Sequence, residues 1–159
     1  ETVMPLTLKY PNLIVLRSFS KWAGLAGLRV GYGVFPPRIA GYMMATKIPH
    51  NVSVAAEVAV KASLEDIDYL QELVSAIVVE RERMFTEIVK IPWLKPYPSR
   101  ANFLYCEVLK GSADELLRKL QRRGVLVRYF DKPLLRNSIR ISAGKPEHTD
   151  ALLKAIRAI

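Results

Sequence analysis

A helical pattern of more than twenty residues in the middle of the chain restricts what this sequence can fold into. The pattern opens at Asp66 or Asp68 and runs to Ile91, just before a proline. Its apolar residues recur at helical spacing, at Leu70, Leu73, Val74, Ile77, Val78, Met84, Phe85 and Ile88. A helix longer than the usual globular length commonly bridges two lobes. We therefore predict two domains, residues 1–75 and 76–159, whose boundary lies within this helix.

The residues before the long helix predict two strands and two helices. These are a buried strand of the parallel type at Leu13–Leu16, a strand around Arg29–Phe35, and helices at Arg38–Lys47 and Val54–Leu64. Ser53 stands where the second helix needs an N-cap.

The residues after the long helix alternate strands with helices. The strands are predicted at Asn102–Val108, Val125–Arg128 and Ser138–Ser142, and the helices at Ser112–Arg123 and Pro146–Ile159. Ser112 and Glu115 match a capping box, and Gly124 is a natural residue to end the same helix. Strands interleaved with helices in two lobes predict an α/β fold.

Charge, hydropathy and cysteine content argue against a nucleic-acid partner, a membrane partner and a metal site. The net charge is +9, yet the only dense basic cluster has helical spacing and is interpreted as a solvated helix face: Arg118, Lys119, Arg122 and Arg123. We expect no nucleic-acid partner; a basic module that binds nucleic acid or another anion is the alternative from a different class. No apolar run approaches the roughly 18 residues of a membrane span, so no membrane partner is expected. The single cysteine, Cys106, is interpreted as core packing, and no metal site is predicted.

The stretch from Ser18 to Tyr32 carries the most chemistry. It places Lys21 after a predicted strand, where partial desolvation among other cations would turn its amine into a nucleophile. Hydroxyls at Ser18 and Ser20 and the guanidinium of Arg29 are the donors that a dianionic phosphate prefers. Neither Gly-rich nucleotide-binding fingerprint is present in this stretch.

The pattern Ser-x-Ser-Lys-x-x-Gly-Leu-Ala-Gly-Leu-Arg-x-Gly at residues 18–31 resembles the lysine signature of fold-type I aminotransferases, which use pyridoxal 5′-phosphate. The resemblance implies that Lys21 bonds covalently to the cofactor aldehyde and later carries a proton between the substrate Cα and the cofactor. It implies that Ser18, Ser20 and Arg29 bind the cofactor phosphate. It also implies that the chain comprises the C-terminal part of the large domain and the small C-terminal α/β domain.

Three further segments, at residues 98–104, 124–130 and 139–144, are similar to histidinol-phosphate aminotransferases. The sequence of residues 143–150 most resembles that of plant and algal members. The resemblance implies a homodimeric enzyme of histidine biosynthesis that transaminates histidinol phosphate with 2-oxoglutarate. It also implies that Arg140 binds the substrate carboxylate or the phosphate that replaces it, and that Asn102 and Arg128 face the substrate pocket. A threonine-phosphate decarboxylase or an aromatic aminotransferase is the alternative within the same chemistry.

Two features depart from that family. His50 stands where members usually have tyrosine, and the first aspartate is Asp66, although the family's partner for the cofactor ring nitrogen precedes the lysine. We therefore expect a chain truncated at its N-terminus, with little activity alone and without any targeting region. The expected location is the plastid for a plant or algal protein and the cytoplasm otherwise.

Overall fold

The computed structural model describes residues 2–135 and 137–159 of the chain. Its contacts divide into two compact units, Glu1–Glu72 and Leu73–Ile159. The division falls inside one continuous helix, α3 (Ile67–Val89), which matches the predicted long helix. The domain limits at residues 75 and 76 stay a prediction.

The first unit contains a two-stranded sheet and two helices before α3. The strands are β1 (Val15–Ser18) and β2 (Gly31–Val34), and the helices are α1 (Pro37–Thr46) and α2 (Val54–Glu65). Short 3-10 turns lie at Met4–Leu8 and Ala26–Leu28. The predicted cap of α2 is confirmed, because the hydroxyl of Ser53 accepts a hydrogen bond from the backbone N–H of Ala56 at 3.2 Å.

The prediction for the first strand was wrong in its start, its direction and its burial. The strand begins at Val15 rather than Leu13, and it pairs antiparallel with β2, with Val15 opposite Val34 and Ser18 opposite Gly31. It is not buried either, since Leu16 is 73% exposed. The apolar run fits a strand covered on both faces, but the described sheet of this unit has two strands and leaves Leu16 uncovered.

The second unit is a four-stranded sheet with helices, and its sheet order is β3-β4-β6-β5 with every neighbouring pair antiparallel. The strands are β3 (Leu94–Pro96), β4 (Phe103–Val108), β5 (Arg128–Tyr129) and β6 (Ser138–Ser142), and the helices after α3 are α4 (Ala113–Gln121) and α5 (Pro146–Arg157). The predicted strand at Val125–Arg128 is displaced, because only Arg128 and Tyr129 pair with β6. The short edge strand β3 was missed, since its Pro96 argues against a strand in sequence.

The core of the second unit lies between this sheet and the helices. Its fully buried side chains come from α3, β4, α4 and β6: Met84, Ile88, Leu104, Cys106, Leu120 and Ile139. The interpretation of Cys106 as core packing is confirmed, and burial raises the pKa of its thiol to about 12. The hydroxyl of Ser112 accepts from the N–H of Glu115, and Gly124 follows α4 with φ +76°.

Candidate functional site

The two predicted phosphate-binding serines lie together at the end of β1. The Ser18 hydroxyl lies 2.8 Å from the Ser20 hydroxyl and accepts a hydrogen bond from the Ser20 backbone N–H at 3.1 Å. The chain then turns back, because Phe19 donates its N–H to the carbonyl of Val30 at 3.3 Å and Leu25 donates to the carbonyl of Phe19 at 3.2 Å. The two hydroxyls are therefore held side by side at one end of the β1–β2 sheet.

Arg29 is brought to the same end of that sheet by the strand register. Gly31, two residues later, lies opposite Ser18 in the β1–β2 pair. A Cβ at position 31 would lie 2.5 Å from the backbone oxygen of Arg17, so only glycine allows this close crossing. Arg29 itself has φ +54°, which is uncommon outside glycine, and its Nη1 donates to the carbonyl of Ala26 at 2.8 Å.

Lys21 lies in the turn between the two serines and the 3-10 turn at Ala26–Leu28. Its side chain is exposed, so the expected partial desolvation of the amine is not found in the described residues. The physical reason is local: the turn lies beyond the end of a two-stranded sheet, and the described residues of the first unit provide no third strand to cover it. Among the residues described, no acidic side chain forms an ion pair with Lys21.

These residues fit a phosphate monoester attached to an aldehyde. Ser18 and Ser20 supply two adjacent hydroxyls, Arg29 supplies an exposed guanidinium, and Gly31 lets the two strands approach closely. The primary amine of Lys21 follows within the same turn and is accessible. The chemistry of these side chains is thus compatible with pyridoxal 5′-phosphate, and their roles toward it stay a prediction.

In the second unit, Arg128 of β5 lies directly opposite Arg140 of β6. Both line a cavity of about 430 Å³, together with Ser142 and His148. Two cations opposite each other in a sheet repel, and no carboxylate within the described part of the chain forms an ion pair with either of them. An anionic ligand in the cavity would relieve that repulsion.

The guanidinium of Arg140 rests against aromatic rings instead of a carboxylate. Its Cζ lies 5.2 Å from the ring centroid of Phe103 and 5.7 Å from that of Phe130. Its Nε is buried and makes no hydrogen bond within the residues that the structure describes. A buried N–H without an acceptor is costly, so this atom indicates a missing anionic or polar partner. The prediction that Arg140 needs an anion therefore agrees with its surroundings.

Asn102 is placed differently from the two arginines. It is exposed, lies just before β4, and is not among the residues that line the cavity. Its backbone is fixed from two sides, because its carbonyl accepts from the N–H of Ala143 at 2.9 Å and the carbonyl of Ala101 accepts from Nη1 of Arg81 at 3.0 Å. The side chain of Arg81 is only 4% exposed. The structure thus fixes the backbone at Asn102 without placing its side chain in the cavity.

Sequence reasoning missed Phe103, Phe130 and Arg81. A signal for Phe130 exists, since it stands two residues after Arg128 and an extended chain returns to the same face every second residue. Phe103 and Arg81 are separated by a long stretch from the residues they contact, so only the folded chain reveals them.

The basic cluster behaves as a helix surface. Arg118 pairs with Asp114 one turn earlier at 2.8 Å. Arg123 donates to the carbonyls of Lys119 at 3.1 Å and Ala158 at 2.8 Å, which satisfies helix C-terminal carbonyls. Arg118 and Arg123 of the cluster therefore have local partners in α4 and at the end of α5.

The described residues provide neither a membrane-spanning helix nor a metal-binding cluster. No helix there combines the length and apolar character that crossing a membrane requires. No group of three or more His, Cys, Asp or Glu side chains in that part of the chain is arranged to hold a metal ion. His50, which stands where members of the family usually have tyrosine, is exposed in the segment before α2.

Two curated relatives match nearly the whole chain. Histidinol-phosphate aminotransferase of Dehalococcoides mccartyi is 56% identical over 148 residues, which cover 93% of this chain and 41% of that protein. The chloroplastic histidinol-phosphate aminotransferase 1 of Arabidopsis thaliana is 51% identical over 158 residues, covering 99% of this chain and 38% of that protein. The chain therefore spans about two fifths of the length of these relatives.

Solved structures agree on the fold. Histidinol-phosphate aminotransferase from Sinorhizobium meliloti, in complex with pyridoxal-5′-phosphate, aligns with a TM-score of 0.81 and 29% identity, covering 98% of this chain and 44% of that one. L-threonine-O-3-phosphate decarboxylase from Porphyromonas gingivalis aligns with a TM-score of 0.84 and 25% identity, covering 97% and 49%. The predicted fold class is confirmed. The family model of aminotransferase class I and II matches residues 2–156, and the chain therefore belongs to that family.

Proposed function

We propose that this chain provides the reactive lysine and the substrate-anion pocket of an enzyme that transaminates histidinol phosphate with 2-oxoglutarate. The observation that carries the proposal is the pair Arg128 and Arg140, opposite each other in one cavity, with the buried Nε of Arg140 lacking a partner among the described residues. An ester phosphate supplies the two negative charges that this pair lacks. The names of the relatives at 51% and 56% identity support the choice of substrate.

The cofactor end of the reaction belongs to the first unit. When bound, pyridoxal 5′-phosphate withdraws electrons from the substrate Cα and so makes its proton removable. Ser18, Ser20 and Arg29 would hold the cofactor phosphate with their two hydroxyls and guanidinium. The Nζ of Lys21 would hold the cofactor at its aldehyde and, when free, would be the base that moves the proton of the substrate Cα.

The substrate end belongs to the second unit. Arg140 binds the substrate phosphate, or the carboxylate of a keto acid in the other half of the reaction, and Arg128 adds a second cation. Asn102 does not line this cavity, so its polar contact with the substrate is proposed to come from outside it, with the backbone held by the bonds at Ala101 and Ala143. Planar guanidinium groups suit both carboxylate and phosphate, which the two half-reactions require in turn.

The whole enzyme is proposed to be a homodimer, located in the plastid if its source is a plant or an alga and in the cytoplasm otherwise. We expect little transaminase activity from residues 1–159 alone, because they span only about two fifths of the length of the relatives they match. A protein that carries this sequence and has the full length of these relatives should have transaminase activity.

A phosphothreonine decarboxylase is the second candidate, favoured by the TM-score of 0.84 with such an enzyme. Its substrate is also a phosphorylated amine, so two opposed arginines suit either ligand. The two reactions differ in their products: transamination converts 2-oxoglutarate to glutamate, whereas decarboxylation releases carbon dioxide and needs no keto acid.

The deciding experiment uses a protein of the relatives' full length that carries this sequence. With 2-oxoglutarate as the amino acceptor, we expect kcat/KM to be highest for histidinol phosphate and lower for aromatic amino acids. We expect no carbon dioxide to be released from threonine phosphate. Arg140→Gln should raise KM for histidinol phosphate by about tenfold or more, given the cost of losing a charged hydrogen-bond partner. Carbon dioxide release from threonine phosphate, or histidinol phosphate ranking among the poorest amines, would overturn the assignment.

A further inference from the structure

The ring of Phe130 contacts both arginines of the cavity. The Cζ of Arg128 lies 5.1 Å from the ring centroid of Phe130, and the Cζ of Arg140 lies 5.7 Å from the same centroid. Phe103 contacts Arg140 alone, at 5.2 Å. Phe130 is thus the aromatic residue shared by the two cations.

An aromatic ring suits this position better than a carboxylate would. A carboxylate would hold the guanidinium groups in place, but it would also neutralise them and compete with an incoming phosphate. The face of a phenyl ring attracts a cation through its quadrupole and leaves the positive charge available. It also offsets part of the repulsion between two cations that lie opposite each other in the sheet.

We propose that Phe130 is a positioning residue that orients Arg128 and Arg140 toward a bound phosphate group. The inference rests on the proposed function, since it concerns the anion pocket of the same site. Phe130 does not touch the reacting atoms; it acts by fixing the directions of the two guanidinium groups before the ligand arrives. Such preorganisation lowers the entropy that binding would otherwise lose in ordering two long side chains.

The test titrates the 159-residue chain with inorganic phosphate and follows the arginine side-chain Nε–H signals in proton–nitrogen NMR spectra. Arg128→Gln and Arg140→Gln assign the two signals, which separates this pocket from phosphate binding near Arg29. Phe130→Leu keeps an apolar side chain but removes the ring. We expect it to raise the phosphate Kd at these signals by about five-fold, as the loss of the cation–π contacts with exposed Arg128 and half-buried Arg140 implies.

Two variants control for a general loss of structure. Phe130→Tyr keeps the ring and should bind phosphate within about two-fold of the parent, so that the ring is shown to matter rather than the residue's identity. Tyr97→Leu removes a ring from another cation–π contact, with Lys95 at 5.1 Å outside the cavity, and should leave the Kd unchanged. If Phe130→Leu shifts the melting temperature, Phe130→Met replaces it.

The possible results separate the two proposals. A phosphate Kd in folded Phe130→Leu or Phe130→Met equal to that of the parent overturns the role of Phe130 while the anion pocket stands. Signals of Arg128 and Arg140 that do not respond to phosphate in the parent chain overturn the anion pocket, and the role of Phe130 with it. A raised Kd in the ring-less variant, together with rescue by Phe130→Tyr, supports the inference.

Discussion

The buried carboxylate of Glu80 accepts hydrogen bonds from both Nε and Nη2 of Arg83, at 3.0 and 2.8 Å. Arg83 also reaches Asp150 at 2.8 Å and the carbonyl of Pro146 at 2.8 Å, so it connects α3 to the start of α5. Since the side chain of Glu80 is only 6% exposed, its carboxylate charge has little contact with solvent. The Arg83 hydrogen bonds lower the pKa of Glu80 below its ordinary value of 4.5.

Stability should therefore depend on the charge of Glu80 in acid. Because the pKa of Glu80 is lower in the folded than in the unfolded state, its contribution is present above about pH 4.5 and is lost as the pH falls through the folded value. We expect Glu80→Gln to reduce the free energy of unfolding at pH 7 by about 2 kcal/mol. Urea denaturation at pH 7 and at pH 3 measures both effects.

Glu57→Gln is the control for that experiment. Glu57 pairs with Lys61 on the surface of α2, and its side chain is 61% exposed. Removing such an exposed ion pair should leave the unfolding free energy almost unchanged. An equal loss of stability in both variants would show that burial of Glu80 has no special effect.

Asn137 is expected to be the most sensitive polar residue of the second unit. It has φ +56°, its Nδ2 donates to the carbonyls of Val108 and Gly111, and its Oδ1 accepts from the N–H of Ala113 at 2.8 Å. Asn137→Ala loses all three bonds and strains the backbone, and should cost about 3 kcal/mol. Asn137→Gly relieves the strain and should cost less. Urea denaturation ranks them, and an equal cost for both would contradict the backbone argument.

Phosphate should raise the melting temperature of the chain through Arg140. A ligand that binds the folded state alone stabilises it by about 2.7 kcal/mol at one hundred times its Kd. Differential scanning calorimetry with and without phosphate should show the rise in the parent chain and a smaller one in Arg140→Gln. Any rise in melting temperature that remains in Arg140→Gln measures phosphate binding elsewhere, such as near Ser18 and Arg29. The same rise in both proteins would remove Arg140 from the phosphate site.

Lys21 should carry the cofactor adduct. Borohydride reduction of a full-length protein with pyridoxal 5′-phosphate should add the reduced cofactor to the peptide that contains Lys21, as mass spectrometry detects. Lys21→Ala should lose the label, whereas Lys47→Arg, a change at another exposed lysine, should keep it. Stoichiometric labelling that persists in Lys21→Ala at a different lysine would refute the assignment.

Cys106 should be unreactive until the protein unfolds. The thiol is fully buried, and its pKa is raised to about 12 from an ordinary 9.0, so the nucleophilic thiolate is scarce. We expect negligible alkylation by iodoacetamide at pH 8 in buffer and complete alkylation in urea. Because the folded pKa is the higher one, the buried thiol favours folding below about pH 9 and loses this effect as the pH rises toward 12. Rapid alkylation of folded protein would contradict the burial.

Local signals predicted much of this fold. Ser53 and Ser112 cap helices as their positions indicated, and β6 has the predicted limits, Ser138–Ser142. These features depend on residues close in sequence, where capping and alternation operate. Strand pairing depends on distant residues, which is why the direction and exposure of β1 were mispredicted.

In the candidate site, too, features set by residues close in sequence were predicted, and features set by distant residues were not. The motif around Lys21 predicted Ser18, Ser20 and Arg29 as phosphate donors, and the register of β1 and β2 brings these residues to one end of the sheet. The contacts of Arg140 with Phe103 and Phe130 arise across strands, and no spacing in the sequence specifies both. The exposure of Lys21 also could not be read from the motif, because desolvation depends on what covers the turn.

The close approach of β1 and β2 at Gly31 limits which positions can be mutated when this protein is engineered. With a Cβ there only 2.5 Å from the backbone oxygen of Arg17, every other side chain forces β1 and β2 apart. A saturation library over residues 18–31 would therefore waste position 31 on misfolded variants, whereas Gly27, where an added Cβ meets nothing within 4 Å, tolerates substitution in this structure. Engineering of the cofactor end should keep residue 31 fixed and explore its neighbours.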